Sequence, residues 1–297
     1  MNGEYSKVGD STMTENKNIH IYVCPDQIEG IFTAIYDAWA SGYGHAYNRI
    51  QVEPIDNYEL FSEYITVQID KEKSVKVSNS IKKKIGNDAY TGVYDMAIST
   101  RRDKGDIIYR FLQLGFHLGP KVMNYLSNDY VNAIFKTMKT IANERHHYVE
   151  FIRFAELSNG ILFSQIRPKN NVLTIVAPHF ADRLQQENWM IVDEGREIAV
   201  VHPAHKPWFL VSLSLIDPAL IAEHSEKEDV MVQAFSTFIE SIAIKERTNY
   251  NLQRNMLPLR FREYMPEFKK EKKNESTGDY VEYEDIQGVS ELPGKLT

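Results

Sequence analysis

Apolar and polar residues alternate in several short stretches, and this period of two predicts β-strands because successive strand side chains point to opposite faces. One such stretch, 19–23, lies near the start of the chain. The others cluster in the second half, at 149–154, 161–166, 172–176, 189–193, 198–202 and 208–213. Asn159-Gly160 separates the first two of these and is typical of a tight hairpin turn. The second half is therefore expected to hold an antiparallel sheet packed with helices.

A period of three to four residues between apolar positions predicts amphipathic helices, which dominate the first half. The first helix is expected from Ile28, with the Asp26 side chain as its cap and Glu29 as the matching acid of a capping box. Further helices are predicted at 75–85, 90–98, 106–118, 131–148, 177–184 and 228–249. Short strands are expected at 49–52 and 64–69. The fold class predicted by this pattern is α+β.

The two ends of the chain lack this patterning. Residues 1–18 are polar and predict a flexible leader, whereas 269–297 are charged and poor in apolar residues, a composition typical of disorder. No internal repeat and no Gly/Ser-rich or Pro-rich linker divides the part between them. A single α+β domain is therefore predicted over 19–268.

Charge and cysteine content limit the classes of function. The formal net charge is −7, so any contact with nucleic acid has to be local, because phosphate binding normally requires a basic surface. Cys24 is the only cysteine, and the chain cannot supply a cysteine-rich zinc or iron–sulfur site. We expect no metal site and no cofactor in this chain.

Hydropathy indicates the cellular location that we expect for the protein. No apolar run approaches the roughly 20 residues that a membrane-spanning helix needs, and the first residues are unlike a signal peptide. We therefore expect a cytoplasmic protein without a membrane partner.

The segment 177–183 follows a predicted strand and places His179, Asp182 and Arg183 within one helical turn. A histidine held by a nearby carboxylate can act as an acid or a base, and an arginine can bind phosphate. His179 and Asp182 are therefore candidate catalytic residues, and Arg183 is a candidate phosphate contact. The alternative is a helix end whose polar groups satisfy one another.

A second polar segment, 245–264, interleaves arginines with amides and aromatic residues. Guanidinium groups pair with phosphate oxygens and aromatic faces stack on unpaired bases, so this mixture suits a nucleic-acid backbone. The candidate binding residues are Arg247, Gln253, Arg254, Arg260 and Arg262. A solvated helix end produces similar charge runs, and that interpretation stays open.

Two smaller patterns have structural explanations. Asp193, Glu194 and Glu197 resemble part of a nuclease metal cluster, but acids are common in hairpin turns and the lysine expected after them is absent. Gly115 and Gly119 are four residues apart, a spacing that predicts close helix packing.

Five separated segments, in order, resemble an uncharacterised domain family of bacterial genomes that is assigned to DNA repair or DNA metabolism. The resemblance covers roughly Ile19 to Phe268. Its segments are the opening strand together with 29–34, then 111–116, 151–157, 178–183 and 244–267. The chain departs from the family pattern where Tyr250 follows Asn249, and at Arg260-Phe261-Arg262. These departures preserve a basic and aromatic character.

The resemblance implies a function that the residues alone do not. The family is encoded beside a radical-SAM protein and is sometimes fused to uracil-DNA-glycosylase-like modules. The resemblance therefore implies that this chain is a DNA-repair or DNA-metabolism accessory protein that binds DNA locally and works with a radical-SAM partner. That partner would carry an iron–sulfur cluster and S-adenosylmethionine.

Two other classes of function stay open. The chain could be an enzyme that acts on damaged DNA or nucleotides, with His179 as the acid or base and Asp182 orienting it. It could also be a pure protein-interaction subunit that does not contact nucleic acid. The sequence leaves open whether the chain is catalytic.

Overall fold

The structure is a computed structural model that describes residues 18–55, 57–216, 237 and 257–265. The predicted leader, except Asn18, and the predicted tail lie outside the described residues, as does the predicted helix at 228–249 except for Thr237. The chain divides into two compact units. The first unit runs to His147 and includes Pro168–Pro178, and the second contains Tyr148–Arg167 and continues from His179. The extent of a single domain over 19–268 stays a prediction.

A three-stranded parallel sheet lies at the centre of the first unit. It consists of β1 (Ile19–Cys24), β2 (Asn48–Val52) and β3 (Ser62–Thr66), in the order β2-β1-β3. β1 is the central strand and is buried along almost all of its length, as expected for a parallel strand covered by helices. Burial of the Cys24 thiol raises its pKa to about 12, so the thiol stays protonated near neutral pH.

The first helix, α1 (Ile28–Ala40), connects β1 to β2 and packs on both strands. The predicted Asp26 cap is wrong. Gln27 occupies the N-cap position and makes no side-chain cap bond. The Asp26 carboxylate instead forms an ion pair with Lys104, whose side chain is buried. The capping pattern was present in the sequence, but the carboxylate pairs with a lysine that is distant in the chain.

The first unit also contains α2 (Lys71–Lys84), α3 (Asn87–Ile98), α4 (Lys104–Leu118) and the larger part of α5 (Asp129–Phe151), together with the first residues of the next helix, up to Pro178. The Asp70 side chain accepts hydrogen bonds from the backbone N–H groups of Glu72 and Lys73, so α2 begins four residues before the predicted start. The strand predicted at 149–154 is wrong, because α5 continues to Phe151 and the next strand begins only at Ala155. Short 3₁₀ helices occur at His45–Tyr47 and Gly119–Asn124.

A buried carboxylate organises the turn before the next helix. Glu144 accepts hydrogen bonds from the backbone N–H groups of Lys169 and Asn170 and from the Asn170 side chain, at 2.7, 3.2 and 2.6 Å. The chain then enters α6 (Leu173–Arg183). The strand predicted at 172–176 is wrong, because Leu173, Val176 and Ala177 are buried at helical spacing.

A five-stranded sheet forms the second unit. Its strands are β4 (Ala155–Glu156), β5 (Leu162–Ile166), β6 (Trp189–Asp193), β7 (Ile198–His202) and β8 (Phe209–Ser212), in sequence order across the sheet. All neighbours are antiparallel except β5 and β6, which are parallel because α6 lies between them in the chain. Gly160 has a positive φ of 77° in the predicted hairpin turn. The predicted α+β class, with a mostly antiparallel sheet in the second half, is confirmed.

The core of the second unit contains a chain of aromatic rings. Phe180 of α6 packs edge-on against Phe154, and Trp189 of β6 stacks on His202 with ring centroids 5.0 Å apart. Near the end of the described residues, a short helix, α7 (Leu259–Arg262), is anchored by the buried Phe261. In the part of the chain that the structure describes, no helix has both the length and the apolar character required to span a bilayer.

Candidate nucleic-acid interface

The predicted catalytic residues lie in the last turns of α6, after Pro178. The His179 ring meets the Phe180 ring edge-on, with centroids 5.1 Å apart. Arg183 is exposed at the end of the helix. Among the described residues, no hydrogen bond or ion pair joins His179 to Asp182. The catalytic pair therefore stays a prediction, and the observed contact of His179 is with an aromatic ring.

The predicted arginine segment is described only around α7. Arg260 is exposed and its guanidinium lies 4.7 Å from the Phe261 ring centroid, whereas Arg262 donates to the Leu257 carbonyl oxygen at 3.3 Å. Phe261 is buried against Tyr148, so this aromatic residue anchors the segment and has no face available to a base. Arg247, Gln253 and Arg254 lie outside the described residues.

Two of the acids that resembled a nuclease cluster, Asp193 and Glu194, have hydrogen-bond partners within the second unit. Asp193 is fully buried, accepts from the Gly195 N–H at 3.0 Å and pairs with Arg196 at 2.9 Å. Burial raises the Asp193 pKa, and the bonds from Arg196 oppose that rise. Glu194 accepts a 2.5 Å hydrogen bond from the Tyr264 hydroxyl. Within the described ranges, no group of three or more His, Cys, Asp or Glu side chains is placed to hold a metal ion.

The strongest concentration of positive charge lies on α2, in the first unit. This helix contains six lysines against the single acid Glu72, which gives it a formal charge of +5 in a chain of −7. Lys73, Lys76 and Lys84 recur at spacings that place them along one side of the helix. Apart from the ion pair of Lys73 with Asp37, these three lysines have no acidic partner among the described residues. Lys76 and Lys84 are exposed.

Beside these lysines lies a groove of about 440 Å³, which we call the lysine groove. Its wall and floor include Lys76, Ser80 and Lys84 of α2, Tyr36 and Trp39 of α1, and Phe116 of α4. The ammonium groups lie over the rings, with Lys76 5.9 Å from the Tyr36 centroid and Lys84 5.6 Å from the Phe116 centroid. Each of these two cations thus has an aromatic ring beside it.

Local packing places these side chains. The Asp70 cap fixes the start of α2, and α2 packs along α1. A Cβ atom on Gly115 would lie 2.8 Å from Ile85 Cδ1, so the glycine lets α4 approach the end of α2 closely. The neighbouring Phe116 is thereby placed next to Lys84. The close packing predicted for Gly115 is confirmed, whereas Gly119 has a positive φ of 63° as the C-cap of α4.

A second cleft of the first unit, the arginine cleft, has a volume of about 680 Å³ and is lined by Arg49, Arg102, Arg110, Glu59, Asp103 and Asp106. The Nη1 atom of Arg49 donates to both carboxylate oxygens of Glu59, each at 2.8 Å. Arg110 donates to the carbonyl oxygens of His45 and Asn48, at 2.6 and 2.8 Å. Burial raises the Asp106 pKa, and the nearby Arg110 opposes that rise. The guanidinium groups of Arg49 and Arg110 therefore already donate hydrogen bonds to other groups of the protein.

Reasoning from the sequence missed the lysine groove. The run of lysines in 71–84 is plain in the sequence, but such runs usually lie on a solvated helix face. The aromatic residues that complete the groove belong to α1 and α4, more than 30 residues away on either side. An available signal was the contrast between a +5 helix and a −7 chain.

Comparison with known proteins places part of the chain in a family. Residues 102–267, more than half of the chain, match the model of a domain of unknown function, DUF4130. No curated protein matches the chain. A solved structure described as the DHH domain of a member of a family of ribosomal proteins aligns at 9% identity, with 63% of this chain and 74% of that chain covered. Its TM-score of 0.30 is too low to support any conclusion about fold or function.

Proposed function

This chain belongs to the DUF4130 family, and we propose that it is an accessory protein of DNA repair or DNA metabolism that binds nucleic acid through α2. The observation that carries the proposal is the set of lysines on α2 that lacks acidic partners in the described structure, in a chain that is acidic overall. The α1 and α2 helices precede the region that matches the family, whereas Phe116 of the lysine groove lies within it.

The local charge favours a polyanion. Lysines that neutralise phosphates release condensed counterions, and this release supplies most of the sequence-independent affinity for nucleic acid. Lys76 and Lys84 can reorient toward a phosphate because they are exposed and engaged only with ring faces. The arginine cleft offers less, since Arg49 would first have to leave Glu59.

The arginines predicted from the sequence are candidates for additional phosphate contacts. Arg183 and Arg260 are exposed, which leaves their guanidinium groups accessible to a ligand. Arg262 is half-buried and bonded to a backbone carbonyl, so it is the weaker of the described candidates. These residues belong to the second unit and are tested separately from α2.

The role in DNA repair or metabolism and the radical-SAM partner rest on the resemblance of the five sequence segments. The chain has a single, buried cysteine, so a cysteine-ligated iron–sulfur cluster would come from the partner together with S-adenosylmethionine. Copurification with a radical-SAM protein from the native cell would support this part of the proposal. Copurification without any nucleic-acid binding would indicate a pure interaction subunit instead.

The test compares two double variants of α2 that remove the same charge. Lys76→Ala/Lys84→Ala removes lysines of the groove, whereas Lys71→Ala/Lys82→Ala removes two α2 lysines that do not line it. Binding of a fluorescent oligonucleotide is measured by anisotropy as a function of salt. We expect the groove variant to lose affinity. The slope of log K against log[salt] should become shallower by about 1.4, at roughly 0.7 per phosphate contact of a single strand.

The control variant should bind within about threefold of the wild type, because charges outside the groove act only at longer, screened distances. Equal losses of affinity in both variants would show that binding depends only on net charge, and would contradict the assignment to the groove. Absence of binding by the wild type would refute the proposed function.

A further inference from the structure

We infer that the lysine groove is a base-stacking site that selects single-stranded over double-stranded nucleic acid. This inference rests on the proposed function and goes beyond it by specifying the form of the ligand. It depends on the aromatic floor of the groove, whereas the proposed function depends on the lysines.

Three partly exposed aromatic side chains line the groove. Trp39 is 37% exposed, and Tyr36 and Phe116 are half-buried against the core of the unit. Exposed rings of this size cost free energy in water, so they mark surfaces that contact a ligand more often than scattered aliphatic residues do. A planar base covers such rings with little loss of conformational freedom.

Trp39 is held in one orientation by its neighbours. Its indole ring meets the rings of His45, Tyr109 and Phe116 at centroid distances of 4.5, 5.7 and 5.4 Å. All three contacts are edge-type, with interplanar angles of 63° to 82°, and no described ring stacks parallel on the indole. The indole ring is therefore held in place before any ligand binds, and it has no parallel stacked partner in the described structure. A planar ligand that stacks on it would not have to pay for ordering the side chain.

The groove combines cations with aromatic rings, and a nucleic-acid strand combines phosphates with bases. Lys76 and Lys84 lie above the rings of Tyr36 and Phe116, so each cation is adjacent to an aromatic surface. A single strand presents phosphates and bases alternately, and proteins that bind it combine a basic groove with stacking side chains. An acidic peptide would satisfy the lysines but would leave the aromatic floor without a planar partner.

Strand selection follows from where the base faces lie. In a duplex each base is stacked between its neighbours, and only base edges and the backbone are accessible to a protein. An unpaired base can turn its face onto Trp39, and onto Tyr36 when the ammonium groups of Lys73 and Lys76, 5.7 and 5.9 Å from its ring centroid, move to the phosphates. The volume of about 440 Å³ lies in the range of small-ligand sites and is far too small to admit a duplex.

The experiment uses the full 297-residue chain with a 15-nucleotide oligo(dT), and an oligo(dA)·oligo(dT) duplex of the same length. Stacking on Trp39 should quench tryptophan fluorescence on addition of oligo(dT), and Trp39→Phe should remove most of the quenching. Trp189 is fully buried and Trp208 is half-buried, so both provide an unquenched background. We expect the single strand to bind at least about tenfold more tightly than the duplex.

A matched pair of variants isolates stacking from charge. Tyr36→Leu removes an aromatic face and should weaken oligo(dT) binding about tenfold, whereas Tyr36→Phe keeps the face and should bind within about twofold of the wild type. Duplex affinity should not change in either variant. Circular dichroism checks that both are folded, and the quenching of wild-type Trp39 tests the inference without any variant.

The outcomes separate the inference from the proposed function. Unquenched Trp39, an unaffected Tyr36→Leu variant or a preference for duplex would overturn the stacking site, while loss of binding in Lys76→Ala/Lys84→Ala would still support the proposed function. If neither nucleic acid binds the wild type, both fail. Binding of an acidic peptide such as oligo-glutamate in place of oligo(dT) would also overturn the inference.

Discussion

The two clefts of the first unit are both rich in cations, but they differ in what those cations contact. In the arginine cleft, Arg49 pairs with Glu59 and Arg110 donates to two backbone carbonyl oxygens. In the lysine groove, Lys76 and Lys84 lie over aromatic rings and have no acidic partner among the described residues. The larger cleft is thus part of the scaffold, and the smaller groove has cations available for a ligand.

This difference shows that a count of basic residues is a poor guide to a binding site. Both clefts would attract attention by composition, yet a guanidinium that already makes two good hydrogen bonds gains little by exchanging them for phosphate. An exposed ammonium gives up only bonds to water when it pairs with a phosphate. The comparison predicts that cations of the cleft matter for stability and cations of the groove matter for binding.

The largest effect on stability is expected from Arg110→Ala. The variant leaves the carbonyl oxygens of His45 and Asn48 without their donor and leaves the partly buried Asp106 without its guanidinium. We expect a loss of about 2–4 kcal/mol in the free energy of unfolding, measured by urea denaturation. Lys84→Ala, on the exposed face of α2, should cost less than about 0.5 kcal/mol. Similar losses of stability in the two variants would contradict the proposed difference between the arginine cleft and the lysine groove.

A buried acid that has no cationic partner in the described part of the chain sharpens this comparison. Asp95 of α3 is 9% exposed, and burial raises its pKa to about 6. The folded state then holds the proton more tightly than the unfolded state, so the contribution of this group to stability is greatest below about pH 4 and falls as the pH rises toward 6 and beyond.

Asp95→Asn should remove this loss. We expect the variant to be about 2–3 kcal/mol more stable than the wild type at pH 7 and nearly equal to it at pH 3.5, since one pKa unit corresponds to about 1.4 kcal/mol. Urea midpoints between pH 3.5 and pH 7 measure the difference. A constant offset across that range would show that Asp95 does not titrate as described.

Much of the fold was predictable because its signals are local. Alternation predicted β6 and β7 at their observed bounds, and Asn159-Gly160 predicted the hairpin before β5. The apolar run at 172–176 was wrongly predicted as a strand, because a short buried run suits either structure and the helix is set by a turn bound to Glu144. The parallel pairing of β5 with β6 depends on distant segments, which local patterns do not reveal.

The candidate site was less predictable than the fold. The His179 and Asp182 pair was chosen by spacing, but spacing does not determine whether two side chains meet, and their catalytic role stays a prediction. The interleaved Phe261 suggested a stacking residue, yet its ring packs against Tyr148. Trp39 and the lysines of α2 are brought together only by the packing of α1 on α2.

The smallest effect on binding is expected in the arginine cleft. Arg49→Gln/Arg102→Gln removes two positive charges, as Lys76→Ala/Lys84→Ala does, so the two variants have the same net charge. Because Arg49 is already held by Glu59, we expect oligo(dT) affinity of this variant to stay within about twofold of the wild type. Anisotropy titrations at matched salt provide the measurement.

The central claim is tested most directly by titrating oligo(dT) against the wild type and these two equal-charge variants at 0.1 M salt. The account predicts that Lys76→Ala/Lys84→Ala weakens binding about 25-fold, for two lost phosphate contacts, while Arg49→Gln/Arg102→Gln leaves it nearly unchanged. Equal losses in both variants, or a loss only in the arginine variant, would contradict it.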